Sequence, residues 1–326
     1  MKMGILGTGK IVQDFLPTVD RLNIEYMAIL GTERSKERVE NLAAQYGIQK
    51  IYFDYDELLA DENLDTIYVA LPNFLHYSFA KKALLADKNV IVEKPAVTTL
   101  EEFTELKNLA SQREKILVEA VTTHYLPAFI DLKKNLNRLG EIKIVSVNYS
   151  QYSSRYDAFK AGEILPAFDP NKAGGALMDI NVYNLNFVVG LFGAPKSFSY
   201  SANVERGIDT SGVMVLDYGS FKAVCIGAKD CQAPTVSSIQ GDKGNIVVQI
   251  PVNRFDEYTL SDNAGNSEAK NFSDGAHRMF HEFEIFIDMI DKKDFARANE
   301  MLEVSGIVAQ ILHEGRAQVG IKFASD

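Results

Sequence analysis

Six short apolar segments alternate with helical segments over the first 119 residues, and this alternation constrains the fold more than any other feature. The predicted strands are residues 3–6, 26–30, 50–53, 66–70, 89–92 and 116–119. The predicted helices between them are residues 10–22, 35–46, 55–60, 76–86 and 99–113. Apolar strands separated by helices are typical of a parallel sheet covered on both faces. We therefore predict a doubly wound α/β domain that binds its ligand at the carboxyl ends of the strands.

The pattern changes from about residue 142, where apolar and polar residues begin to alternate. Further β-like runs follow at residues 142–149, 196–206, 211–218, 221–228, 234–239, 244–250 and 255–260. Helices are predicted at about 174–191, 276–291 and 295–317. This pattern predicts an α+β domain with an open, mainly antiparallel sheet and one helical face. We place the first domain at residues 1–121 and the second at residues 122–326.

Composition excludes several classes of protein. The chain has 326 residues, of which 46% are hydrophobic, so a large core can form. The formal net charge of −10 disfavours nucleic acid and anionic membranes as partners. No stretch reaches the ~20 apolar residues of a membrane span, and the N-terminus has no signal-peptide pattern. Two cysteines, Cys225 and Cys231, are too few for a disulfide framework or a four-ligand zinc site, so we expect a cytoplasmic protein without a metal.

A glycine-rich turn joins the first predicted strand to the first predicted helix. The turn reads Gly7-Thr8-Gly9-Lys10-Ile11. In dinucleotide-binding domains the first glycine makes the tight turn, and the second lets a pyrophosphate approach the backbone N–H groups of the helix. The usual third glycine is Val12 here, so the fingerprint is incomplete. The position of the turn in the first βα unit nevertheless favours a dinucleotide contacting Gly7, Gly9, Lys10 and Ile11.

The residues after the second strand leave the choice of dinucleotide open. An acidic residue there, ~20 residues after the glycine turn, accepts a hydrogen bond from a free ribose hydroxyl. Glu33 is suited to that contact and favours NAD, whereas Arg34 is suited to a 2′-phosphate and favours NADP. A solvated pair at the start of a helix is the alternative to both interpretations.

Polar residues follow three neighbouring strands at the edge where parallel strands end. Residues 71–76 follow the fourth strand, Glu93-Lys94-Pro95 follows the fifth, and Glu119 ends the sixth. In a doubly wound sheet these ends lie beside the nicotinamide of a bound dinucleotide. Lys94, fixed by the following proline, is therefore expected to face the group that exchanges a proton. The candidate cofactor contacts at this edge are Leu71, Pro72, Asn73, His76, Glu93 and Lys94.

Four segments together resemble one enzyme family, the Gfo/Idh/MocA oxidoreductases. The segments read GILGTGKIV, ALPNFLH, VIVEKPAV and GGALMDINVYNLNF. This resemblance implies an NAD(P)-dependent oxidoreductase that acts on a sugar, a polyol or a similar secondary alcohol. It also implies a Rossmann domain followed by a domain with an open sheet. Lys94 would be the lysine of the family's EKP motif, which contacts the substrate hydroxyl and the nicotinamide ribose, and the peptide into Pro95 is often cis in relatives.

The helix predicted at 174–191 carries Asp179 and Tyr183, which lie on one face because they are four residues apart. The resemblance implies that this helix packs over the nicotinamide, that Asp179 positions the substrate and that Tyr183 is the catalytic acid/base. Many members have histidine at the latter position. Tyrosine ordinarily titrates near pH ~10, so a tyrosine base needs a cation, for which Lys94 is the candidate. Asn181 replaces a usual glycine and is expected to narrow or polarise the pocket.

Other polar residues carry weaker signals. His277 and His281 are four residues apart, but Arg278 occupies the position where a metalloprotease needs glutamate, which disfavours zinc. Residues 151–156 form either a substrate wall with Arg155 as its cation or a plain polar loop. His124 stands where relatives often carry arginine.

Two other functions use the same cofactor site. A non-catalytic NAD(P) sensor has no need of Lys94 and Tyr183, whereas a redox-assisted enzyme would hold its cofactor tightly through a catalytic cycle. An open sheet usually needs its outer face covered, so we predict a homodimer or homotetramer formed through the second domain.

Overall fold

The computed structural model describes all residues from 1 to 326. The chain forms two compact units. The first contains Met1–Ala120 and Met279–Glu303, and the second contains Val121–Arg278 and Val304–Asp326. The division predicted from the sequence, 1–121 and 122–326, did not include the return of the chain to the first unit.

The first unit is built on a six-stranded parallel sheet, which confirms the predicted doubly wound α/β domain. Its strands are β1 (Lys2–Leu6), β2 (Tyr26–Leu30), β3 (Lys50–Tyr52), β4 (Thr66–Val69), β5 (Asn89–Glu93) and β6 (Leu117–Ala120). The strand order is β3-β2-β1-β4-β5-β6, so the direction of winding reverses between β1 and β4. Ligands of such sheets bind outside the carboxyl ends of the strands at this point.

The helices of the first unit follow the predicted alternation, with two corrections at their ends. They are α1 (Lys10–Phe15), α2 (Lys36–Tyr46), α3 (Tyr55–Leu59), α4 (His76–Leu85) and α5 (Leu100–Gln112). The first helix is shorter than predicted because Pro17 cannot continue its hydrogen bonding, and a 3₁₀ turn follows it. The second predicted helix was placed to begin at Ser35, but this residue ends the preceding 3₁₀ turn, where its Oγ accepts a hydrogen bond from Thr32 N at 2.9 Å in a reciprocal capping box.

A helix near the C-terminus completes the core of the first unit. This helix, α9 (Arg278–Lys292), is strongly amphipathic and buries its phenylalanines. The Phe283 ring lies 4.1 Å from the Phe15 ring and 5.0 Å from the Tyr68 ring, measured between centroids. This aromatic burial is the physical reason that Met279–Glu303 belongs to the first unit. The segment joins that unit although 157 residues separate Met279 from Val121, where the second unit begins.

The second unit contains an eight-stranded open sheet. Its strands are β7 (Ile142–Ser150), β8 (Ser197–Glu205), β9 (Ile208–Asp217), β10 (Lys222–Ala228), β11 (Ser237–Gly241), β12 (Gly244–Val248), β13 (Glu257–Asp262) and β14 (Ser267–Asn271). The order is β14-β13-β12-β11-β7-β10-β9-β8, and every pair is antiparallel except β7 with β10. This confirms the predicted mainly antiparallel sheet. The prediction missed β14, an exposed polar edge strand without the alternation that marks a half-buried strand.

The remaining helices of the chain are α6 (Pro127–Asn135), α7 (Tyr156–Lys160), α8 (Val182–Phe192) and α10 (Phe295–Gln318). The segment Pro170–Phe192, which includes α8, is long and apolar enough to cross a membrane by length and composition alone. Of its most apolar window, 83% is buried within the protein. A core helix passes the same test, and α8 packs against β7 and β10 as such a helix.

Candidate active site

The glycine turn of the first unit has the shape that a dinucleotide needs. Gly7 has a φ of +100°, and a Cβ there would lie 2.9 Å from the carbonyl oxygen of Ala70, at the end of β4. Only glycine fits both constraints. A Cβ on Gly9, by contrast, would meet no atom within 4 Å. The backbone at Gly9 therefore borders open space, where a ligand can approach it closely.

The Glu93-Lys94-Pro95 turn is held by contacts on both sides of the lysine. Glu93 is buried and accepts a hydrogen bond from the Tyr68 hydroxyl at 2.6 Å. Beyond the cis Lys94–Pro95 peptide, the backbone N–H of Ala96 donates to Glu119 Oε1 at 2.9 Å. Lys94 itself is half-buried. The carboxylates of β5 and β6 thus hold the turn on which Lys94 stands.

His76 connects this turn to the end of β4. Its Nδ1 lies 2.8 Å from the carbonyl oxygen of Pro95, and its Nε2 lies 2.7 Å from that of Leu71. The side chain is 1% exposed, and burial lowers the pKa of His76 below its ordinary value. Both ring nitrogens face backbone oxygens within the protein. His76 therefore positions the two strand ends, and its contact with a cofactor stays a prediction.

In the second unit, the helix predicted at 174–191 begins with a π-helical turn, Leu177–Asn181, before α8. Such turns are rare and occur often at functional sites. A buried carboxylate holds this one: Asp209 Oδ2 accepts hydrogen bonds from Leu177 N at 2.6 Å and from the Tyr200 hydroxyl at 2.7 Å. Gly175 has a φ of +103°, and a Cβ there would overlap Asp209 Oδ1. Burial raises the pKa of Asp209 to about 6. The conformation of Gly175 and the contact with Asp209 together define the start of the helix.

Asp179 forms an ion pair with Lys229, a residue that the sequence interpretation missed. Lys229 Nζ contacts Asp179 Oδ2, and the lysine side chain is 4% exposed whereas the carboxylate is 44% exposed. The backbone of Lys229 is fixed as well, since its N–H donates to Thr210 O at 2.9 Å and its carbonyl oxygen accepts from Ser153 N at 2.8 Å. The sequence did carry one signal for Lys229, because this lysine directly follows an apolar strand. The same pattern identified Lys94 as a candidate site residue.

Tyr183 lies four residues after Asp179, at the beginning of α8. It is largely buried, and its ring centroid lies 6.2 Å from that of Tyr149 on β7. Asn181 was expected to narrow or polarise the pocket. In the structure it is fully buried, its Nδ2 donates to the carbonyl oxygen of Cys225 at 3.2 Å, and its Oδ1 accepts from Asn184. That expectation was therefore wrong, because the amide ties the helix to β10.

The remaining candidates have structural contacts. In the 151–156 loop, the Tyr152 hydroxyl donates to Asp157 at 2.7 Å and the Tyr156 hydroxyl donates to Glu205 at 2.8 Å. Arg155 is exposed. No group of three or more His, Cys, Asp or Glu side chains is arranged to hold a metal ion.

His124 packs against the buried helix α8. Its Nε2 lies 3.0 Å from Asn186 Oδ1, and its ring contacts that of Phe129 with centroids 5.6 Å apart. Burial lowers the pKa of His124 from 6.5 to about 4. The imidazole is therefore neutral at pH 7, and its position supports α8 structurally.

This lowered pKa predicts a pH dependence of stability. Between pH 6.5 and 4 the unfolded chain binds a proton at His124 that the folded chain does not bind, so stability falls as the pH falls through this range. We expect acidification from pH 7 to 5 to cost the wild type on the order of 1–2 kcal/mol more than His124→Gln, which keeps a donor for Asn186. Urea unfolding of both proteins at the two pH values measures this difference. Equal losses of stability in the wild type and in His124→Gln would show that other groups cause the sensitivity to acid.

Comparison with known proteins relates both units to one family. Residues 1–121 match the model of the GFO/IDH/MocA oxidoreductase family, NAD-binding Rossmann fold, and residues 135–247 match the GFO/IDH/MocA C-terminal domain. The chain is 33% identical to scyllo-inositol 2-dehydrogenase (NADP(+)) IolU of Bacillus subtilis (strain 168), covering 100% of this chain and 99% of that protein. It is 25% identical to trans-1,2-dihydrobenzene-1,2-diol dehydrogenase of Danio rerio, over 100% and 99% of the two chains.

A solved structure shows the same fold. The 3-ketoreductase KijD10 from Actinomadura kijaniata, in complex with NADP and TDP-benzene, superposes with a TM-score of 0.86. The two sequences are 21% identical, and the match covers 99% of this chain and 98% of the other. The family models and the full-length relatives establish an NAD(P)-dependent oxidoreductase acting on CH–OH groups. The chain belongs to the GFO/IDH/MocA oxidoreductase family.

Proposed function

We propose that this enzyme interconverts a secondary alcohol and its carbonyl compound on a sugar, polyol or related diol, with Lys94, Asp179 and Tyr183 as the residues that act on the substrate. The main observation behind the proposal is the set of contacts that hold the turn of Lys94 in place. Tyr68, His76 and Glu119 all hold the turn that presents one half-buried lysine at the carboxyl edge of the sheet. A lysine with only a surface role has no need of such support.

The residues of the first unit fit a nicotinamide dinucleotide. Gly9 leaves open space beside the backbone, where a pyrophosphate requires close approach. Lys10, Ile11, Leu71, Pro72 and Asn73 lie on the β1 and β4 sides of the same strand edge and are our proposed contacts, with Glu93 behind Lys94. When bound, the dinucleotide supplies the hydride acceptor or donor of the reaction.

The protein's own residues handle the proton and the orientation of the substrate. We assign to Lys94 a hydrogen bond to the reacting oxygen, which lowers the free energy of the alkoxide-like charge that develops there. Tyr183 removes the hydroxyl proton in oxidation and returns it in reduction. The half-exposed carboxylate of Asp179 accepts hydrogen bonds from neighbouring hydroxyls of the substrate, while Lys229 holds its Oδ2.

Of the two cofactors that the family uses, NAD and NADP, we infer that this enzyme uses NADP. Glu33 and Arg34 are both exposed on the 3₁₀ turn after β2, so neither is committed to a contact within the protein. The guanidinium of Arg34 suits a 2′-phosphate, and the relative from Bacillus subtilis is named as NADP-dependent. If NAD is preferred, Glu33 is the residue that contacts the ribose.

Titration of NADH and NADPH fluorescence with the protein tests the proposal, together with turnover on a panel of sugars, polyols and diols that includes scyllo-inositol. We expect the wild type to bind NADPH at micromolar concentration and to turn over at least one compound. Lys94→Ala is expected to bind NADPH within about threefold of wild type and to lose turnover at least 100-fold, the size of a typical contribution from one transition-state donor.

The matched control is Lys292→Ala, which removes an exposed lysine from α9 and is expected to leave both measurements unchanged. If neither cofactor binds, the dinucleotide site is wrong. Binding of a cofactor without turnover of any compound would favour the non-catalytic NAD(P) sensor. Cofactor that co-purifies and does not exchange would favour the redox-assisted enzyme.

We also infer a homodimer or homotetramer formed through the second unit. Ile144 on β7 and Val213 on β9 are exposed large apolar side chains on the outer face of the open sheet. Contact with a second copy would bury them. Light scattering at micromolar concentration that shows a monomer would contradict this inference. Cytoplasmic location and the absence of nucleic-acid and membrane partners remain predictions from composition.

A further inference from the structure

A cavity of about 510 Å³ opens in the second unit between the end of β7 and two loops. Its polar side chains include Gln151, Gln232 and Arg254, and Tyr149 also lines it. Nine residues line the cavity, and none of them is acidic.

Two aromatic contacts relate this cavity to the helix that carries Tyr183. The Tyr149 ring, which lines the cavity, lies 6.2 Å from the Tyr183 ring. Phe255, the residue after Arg254, lies 5.9 Å from Phe187 on α8, measured between ring centroids. Phe187 is one turn beyond Tyr183 on the same helix face. The cavity therefore lies on the side of the second unit where Tyr183 is placed.

Arg254 is an exposed cation on a fixed backbone. Asn253 and Phe255 on either side of it are buried, and the carbonyl oxygen of Asn253 accepts a hydrogen bond from Thr122 Oγ1 at 3.0 Å. The backbone N–H of Arg254 donates to Pro251 O at 3.0 Å. Its guanidinium makes no hydrogen bond or ion pair within the protein. The five donors of the guanidinium are thus free and face solvent beside the cavity.

Lys229 is the buried cation nearest in sequence to the cavity loop at 232–235. It does not offer a second site for an anion. Its charge is paired with Asp179. Arg155, on the adjacent loop, is exposed but does not line the cavity. The cavity lining has no carboxylate that would repel an anion, and its two amide side chains can bind neutral hydroxyls. An arginine fork with two amide side chains suits an oxyanion.

We propose that the substrate is a polyhydroxy compound that carries a carboxylate or phosphate group, and that Arg254 binds this anion while the reacting carbinol lies at Tyr183. The inference rests on the proposed function, since it assigns a substrate class to the same oxidoreductase. Gln151 and Gln232 hydrogen-bond the hydroxyls between the two ends. The cofactor site and the proton-transferring residues are unaffected by this assignment.

Steady-state kinetics with matched substrates tests the inference. Each neutral sugar or polyol is compared with its carboxylate and its phosphate, for example glucose with glucuronate and with glucose 6-phosphate. We expect kcat/KM for one anionic member to exceed that of its neutral counterpart about 10–100-fold, the range given by a charge-assisted hydrogen bond. The carboxylate and phosphate arms identify which anion is bound.

Arg254→Met is expected to remove this preference through KM, with turnover of neutral compounds and the Kd for NADPH unchanged. Arg155→Met, the matched control, is expected to keep the preference. Neutral members that react as well as the anions, an unchanged preference in Arg254→Met, or a preference lost only in Arg155→Met would each overturn the inference while leaving the enzyme function standing. No reaction with any compound, alongside no binding of NADPH, would instead remove the proposed function.

Discussion

Tyr183→Phe is expected to bind NADPH with wild-type affinity and to lose about 10²–10⁴-fold in kcat, because the substitution removes only the hydroxyl that transfers the proton. The largely buried ring keeps its contact with Tyr149, so the fold of the helix is retained. Stopped-flow or steady-state turnover with fluorescence titration of NADPH measures both quantities on the same preparation. The wild-type dependence of kcat on pH is expected to flatten in the variant.

Tyr218→Phe is the matched control for this experiment. The Tyr218 hydroxyl donates to the carbonyl oxygen of Gly193 at 2.8 Å, immediately after the C-terminal end of α8. It is thus about 15 Å along the helix from Tyr183, at 1.5 Å per residue. Its removal is expected to leave kcat unchanged. If Tyr183→Phe keeps more than about a tenth of wild-type kcat, another group transfers the proton.

The second large effect is expected at the Asp179–Lys229 pair. Asp179→Ala leaves the Lys229 ammonium, 4% exposed, without its partner. Removing one member of a fully buried pair costs about 3–5 kcal/mol, and the partial exposure of Asp179 lowers the expected cost to about 2–3 kcal/mol. Lys229→Met is expected to cost less, because the half-exposed carboxylate of Asp179 can then be hydrated. Urea unfolding measures the free energy in each variant.

A double-mutant cycle separates the two roles of Asp179. In Asp179→Ala/Lys229→Met no unpaired charge remains, so we expect about 1–2 kcal/mol of the stability lost in Asp179→Ala to return. Turnover is not expected to return, since the substrate contact is still missing. The exposed pair Lys222–Asp217 on β10, with a distance of 2.8 Å, is the control and should contribute no more than about 1 kcal/mol. Strict additivity at Asp179 and Lys229 would contradict a direct interaction.

The first sheet was predictable because its signals are local. Each βα unit carries its own apolar strand and helix terminators, such as Gly47, which ends α2 with a φ of +64°. The strand ends then follow from topology, so Gly7, His76 and Lys94 could be placed at one edge before the structure was known. The chemical class followed from the resemblance of four segments to a family.

The features that were missed depend on contacts between distant residues. The partner of Asp179 is 50 positions away, and no spacing rule connects Lys229 to it. Asn181 contacts β10 from within a π-helical turn, and a pattern of period 3.6 does not reveal such a turn. The strand β14 is polar throughout because it is an exposed edge, which is also why its pattern resembles a loop.

The return of α9 to the first unit has a consequence for how the protein is made. A ribosome releases β1 to β6 long before Phe283, which packs against Phe15 and Tyr68. At about 5–20 residues per second, roughly 10–30 s pass between the completion of β6 and the synthesis of α9. Throughout that interval the apolar surface around Phe15 lacks its covering helix. The segment that is translated first therefore cannot complete its own core until most of the second unit has been synthesised, and throughout that time its uncovered apolar surface is open to aggregation.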